Sequence, residues 1–77
     1  MPTVKIIDSI KIDLYSREHN PPHFHAIYSD YEVLIIIKDL EIYAGRLPKK
    51  QLSKVVNWAK DNKKMLMENF KRLNPRL

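Results

Sequence analysis

The sequence predicts an α+β fold: an antiparallel β-meander of four to five strands followed by one long C-terminal helix packed on the sheet. Three observations carry this. Apolar residues alternate with polar ones in Ile10-Lys11-Ile12-Asp13-Leu14-Tyr15, the period that buries one face of a strand. From Pro48 onward the spacing changes to threes and fours, in Leu52, Val55, Ala59, Asn62, Leu66, Phe70 and Leu73. The chain is too short for a second domain, so residues 1–77 form one unit, with the β-meander over 1–47 and the C-terminal helix over 48–74.

Each element follows in order. Thr3 to Ile7 reads as a first strand, joined by a tight Asp8-Ser9 turn to a second that starts at Ile10. Arg17 to Pro22 reads as an irregular loop, because neither proline can donate to a ladder and the residue before each is driven out of the helical region. Phe24 to Tyr28 and Glu32 to Ile37 follow as strands linked by Ser29-Asp30-Tyr31, with a short fifth strand over Glu41 to Ala44. Val33, Ile35, Ile36 and Ile37 are apolar on both faces, which predicts a central strand covered at least partly on both sides. A single helix from Lys49 to Leu73 accounts for the second half, with Pro48 in its first turn and Asn74-Pro75 stopping it. Val56, Trp58, Met65 and Met67 widen its apolar arc.

Composition narrows the chemistry. The chain has no cysteine, which excludes a disulfide framework and a thiolate metal site and fits a reducing compartment. The longest apolar run, Val33 to Ile37, is far short of a bilayer span, and MPTVKIIDS lacks a signal-peptide pattern. A soluble, cytoplasmic protein with no membrane partner is expected. Residues 1–47 carry five basic and seven acidic residues, whereas residues 48–77 carry nine basic and two acidic. That asymmetry points to RNA, DNA or an acidic partner, or to a solvated helix face. Lys60, Lys64 and Lys71 fall close together on the wheel of a continuous helix and form a basic strip. Glycine-rich phosphate loops and serine–histidine–acid sets are missing, which removes most nucleotide-dependent chemistry.

All three histidines lie in the stretch EHNPPHFHA, residues 18–26. If the strand begins at His23, then His23 and His25 share one face and Phe24, Ala26 and Tyr28 form the core face, because side chains alternate across the pleat. Three readings compete for the pair. His19, His23 and His25 can offer three neutral nitrogens to Zn²⁺, with Glu18 or Asp13 supporting them. Without a metal, the same histidines can serve as general acid and base on an RNA 2′-hydroxyl. In that case Arg17, Glu18, Asn20 and the helix lysines bind the strand, and tyrosines stack its bases. In the third reading the imidazoles hydrogen-bond backbone groups and stiffen a bend. A resident cofactor is not otherwise implied.

The chain as a whole resembles the small prokaryotic family known as domain of unknown function 4160. The likeness lies in the opening MPT, the central YSREHNPPHFHA and the helix VVNWAKDNKKMLMENFKRL. The family motif falls on His19, Asn20, Pro21, Pro22, His23 and His25, flanked by Ser16 and Glu18. Phe70 stands where many relatives have a second tryptophan, a conservative change at a buried position. The resemblance implies no established activity, and it suggests half of a toxin–antitoxin-like pair. The resulting expectation is an interaction module whose apolar arc (Trp58, Met65, Met67) is covered by a cognate small protein encoded nearby or by a second copy. The alternatives are an RNA-binding or RNA-cleaving toxin and a histidine-ligated metal site.

Overall fold

The computed structural model describes residues 3–77, so Met1 and Pro2 of the MPT opening lie outside the described residues. Five strands precede two helices: β1 (Thr3–Ile7), β2 (Ile10–Asp13), β3 (His23–Tyr28), β4 (Tyr31–Ile36), β5 (Ile42–Arg46), α1 (Lys49–Lys60) and α2 (Lys63–Leu73). The strands form one antiparallel sheet in the order β1-β2-β3-β4-β5, the meander expected from the alternation. Asp8 and Ser9 both have positive φ (46° and 69°), the twist a two-residue hairpin needs. The β3–β4 turn holds only Ser29 and Asp30, because Tyr31 already pairs with Tyr28.

Register explains the core. Phe24 pairs with Ile35, and Ala26 with both Val33 and Ile12, so these side chains share one face. All are fully buried, together with Val55 and Ala59 of α1 and Leu66 and Phe70 of α2. Burying Leu66 and Phe70 stabilises by about 1.5–3 kcal/mol each. This packing holds α2, since an isolated helix of its length is marginal in water.

Two expectations need correction. The middle of the sheet is β3, not the isoleucine-rich β4, whose burial alternates. Both helices contribute to the core on one face, which leaves Leu34 and Ile36 on the other only half-buried. The single helix is two, separated at Asp61-Asn62. Asn62 donates its side-chain Nδ2–H to the Trp58 carbonyl at 2.7 Å, and its backbone N–H turns to Ala59 at 3.0 Å. An asparagine side chain that takes a helical carbonyl competes with the ladder, and the helix ends there. Lys60 therefore closes α1 while Lys64 and Lys71 lie on α2, so the basic strip is not one continuous stripe. Trp58, Met65 and Met67 are half-buried against the core rather than forming an open patch. Pro48 sits at the cap position, one residue before the helix.

The only glycine of the chain is in β5. Gly45 has φ +74°, and a Cβ there would run into the backbone carbonyl of Glu32 on β4. A larger residue would thus displace Glu32, which matters for the site below.

Candidate metal centre

The histidine stretch is tied down on both sides. Pro22 accepts the Ile37 N–H at 3.0 Å, which extends the β3–β4 ladder past His23. Asn74, at the end of α2 and almost fully buried, secures the other side. It accepts the Glu18 N–H at 2.8 Å and donates to the Tyr15 and Phe70 carbonyls at 2.9 and 3.0 Å. Between these anchors Arg17 is held at φ 59°, a left-handed conformation that ordinary side chains rarely adopt.

The loop folds Glu18 onto the strand histidines. One ligand atom each from Glu18, His23 and His25 lies within 4.8 Å of the other two. Oε2 of Glu18 is 2.6 Å from Nε2 of His25 and 3.2 Å from Nε2 of His23. Ligands bound 2.0–2.2 Å from a tetrahedral ion stand roughly 3.3 Å apart; the 3.2 Å approach of Glu18 to His23 has that spacing, while the 2.6 Å contact with His25 is a hydrogen-bond distance.

The outward nitrogens are also engaged. Nδ1 of His23 lies 2.8 Å from the Pro21 carbonyl, and Nδ1 of His25 lies 2.9 Å from Oε2 of Glu32. A carbonyl or carboxylate can only accept, so each Nδ1 carries the proton. In neutral rings this leaves both Nε2 lone pairs facing Glu18. Such an outer contact on each histidine is what orients metal-ligating imidazoles.

His23 makes the case sharpest. Its side chain is fully buried, and its Nε2 has no hydrogen-bond partner despite the 3.2 Å approach to Glu18, which is out of line. A buried lone pair facing a carboxylate oxygen is two acceptors without a donor, and such an orphan is costly.

Burial pushes the Glu18 carboxyl up, but the hydrogen bond from His25 and the electrostatic influence of His23 and His25 outweigh it and hold the group below its ordinary value. Tyr15 stands edge-on to His25, with ring centroids 4.6 Å apart, and donates its hydroxyl to Asp13 at 2.9 Å. Burial first, then that hydrogen bond and the charge of Asp13, push its phenol up to about 12.

The other sequence candidates fall outside the ligand set. His19 is exposed and stacks on His23 with centroids 5.1 Å apart, while its Nδ1 faces the Asn20 carbonyl at 3.2 Å. Tyr43 of β5 closes on both rings, at 5.8 and 5.9 Å. Asn20, Lys60, Lys64 and Lys71 are exposed, and among the described residues no side-chain hydrogen bond or ion pair joins them to the cluster. Asp13 accepts from Thr3 and Tyr15 instead of supporting a ligand directly. Sequence reasoning missed Glu32 and Asn74. Glu32 pairs with Ile27 and is therefore the diagonal neighbour of His25 on one face, a signal that needed the β3–β4 register. Asn74 was read only as a helix stop.

The sequence matches the family described as Domain of unknown function (DUF4160) over residues 9–71. The chain belongs to that family. Searches of curated proteins and of solved structures find no match.

Proposed function

We propose that the protein binds one divalent transition ion of the zinc class through Glu18, His23 and His25 and keeps a coordination position open for water or substrate. Two histidines and one carboxylate are the donor set of hydrolytic zinc centres, in which the ion lowers the pKa of bound water. The observation that carries the reading is the buried, unpartnered Nε2 of His23 aimed at Glu18. The ion supplies the positive charge that this pair of acceptors lacks. His19 stays outside the ligand set and covers the His23 ring. The test is titration of metal-stripped protein with Zn²⁺ by calorimetry and with Co²⁺ by visible absorption. About one equivalent should bind. Glu18→Gln, His25→Asn and His23→Gln should each lose it while circular dichroism shows a folded chain. Absent binding, or binding unchanged in Glu18→Gln and His25→Asn, overturns the reading.

A second reading, a protein partner, draws on the open face of the sheet. Ile6 is 63% exposed, and Ile27, Leu34 and Ile36 on the same face are only half-buried. A cognate protein or second copy seated there would cover apolar area the helices leave open. Ile6→Lys should then abolish any dimer or complex seen by light scattering; a monomer at all concentrations that captures no partner argues against it.

A further inference from the structure

Beside the metal centre lies an open cleft of about 420 Å³ between the Arg17 loop and the turn that follows α2. It is lined by Arg17, Glu18, Leu73, Asn74, Arg76 and Leu77. Its size is within the range of small-molecule sites. From these residues we infer that the cleft binds a phosphoester of nucleotide size, the phosphate held by Arg17 and Arg76 and the base or sugar lying on Leu73 and Leu77. The inference rests on the metal reading for one wall only, that of Glu18.

Four observations support it. Arg17 and Arg76 are both exposed, and among the described residues neither forms an ion pair. Two free guanidinium groups offer the planar forks that match phosphate oxygens in pairs. Asn74 clamps the residues on either side of Arg17, and the Leu77 N–H bonds to the Asn74 carbonyl at 3.2 Å to close the turn carrying Arg76. Arg17 also holds its positive φ, the kind of local strain that persists where surrounding structure fixes a functional group.

The cleft is apolar as well as basic. Leu73 and Leu77 are 37% and 54% exposed, two of the large apolar side chains that the fold leaves in water. A purely inorganic anion would not use them, whereas a nucleoside has a flat or ring-shaped body that does. Glu18 is the one acidic side chain in the lining. Alone it would repel a phosphate; held against the histidines, and neutralised further where an ion is bound, it leaves the two arginines to set the charge of the cleft.

The experiment uses zinc-loaded full chain titrated with adenosine monophosphate, adenosine and an eight-residue oligoadenylate, followed by calorimetry and by amide chemical shifts. Adenosine monophosphate should bind at least about tenfold more tightly than adenosine, and an Arg17→Ala, Arg76→Ala double variant should lose about ten- to hundredfold while retaining zinc and its melting temperature. Equal affinity for the monophosphate and the oligomer identifies a free nucleotide as the source of the phosphate, and a tighter oligomer identifies an RNA strand. Equal binding of adenosine and its monophosphate, or a double variant that binds as wild type, overturns the proposal. So does failure of the monophosphate to bind protein that does hold zinc, an outcome that leaves the metal reading standing. Arginine-dependent binding to a protein that takes up no zinc supports the cleft and overturns the metal reading instead.

Discussion

Glu32 and His25 are joined by a 2.9 Å contact between Oε2 and Nδ1, across neighbouring strands and seven residues apart in sequence. The contact fixes which nitrogen of His25 faces Glu18. Glu32→Gln should therefore weaken Zn²⁺ affinity about 10–100-fold, the usual consequence of losing an outer partner of a ligand. Calorimetric titration checks this. The metal-free melting temperature should hardly move, because Glu32 is half exposed.

Asn74→Ala removes three side-chain hydrogen bonds from a site that is 6% exposed and strands buried backbone groups of Tyr15, Glu18 and Phe70. The expected cost is about 2–4 kcal/mol. Urea denaturation measures it directly. In a domain of this size the melting temperature should fall by roughly 10 °C or more.

Gly45→Ala forces a side chain into a left-handed backbone and against the Glu32 carbonyl. Destabilisation of roughly 1–3 kcal/mol is expected from the strain. A second effect separates this site from an ordinary turn: displaced Glu32 should also lower zinc affinity. Titrating the folded variant tests that second effect.

Alkaline stability depends on Tyr15. Its phenol is raised to about 12 in the fold from an ordinary 10.0, so unfolding releases its proton between those values. The contribution is fully present below pH 10 and is lost as pH rises through 12. Tyr15→Phe should be less stable at neutral pH, by about 1 kcal/mol for the lost bond to Asp13, but flatter in stability above pH 10. Denaturant midpoints across that range give both quantities.

Much of the fold was legible because its signals are local. Alternation marked β2, two prolines marked the loop, and His23 and His25 fell on the face opposite Phe24 and Ala26 as the pleat requires. The errors came where two local preferences conflict. Asn62 fits a helical spacing by position but breaks the helix with its side chain. The isoleucines of β4 suggest the middle strand of the sheet, yet the strand order puts β3 there. At the site, Glu18 was read as a supporting or binding residue. Its approach to the histidines depends on Arg17 adopting a positive φ and on a clamp from a residue 56 positions away, and neither leaves a mark in the stretch itself.

The Asn74 clamp also ties the candidate site to the far end of the chain. The strand histidines share β3, whereas the backbone of Glu18 is bonded to the end of α2, 56 positions away. If the proposed ion is bound, its affinity should therefore respond to substitutions that loosen the end of α2 even where the sheet stays paired.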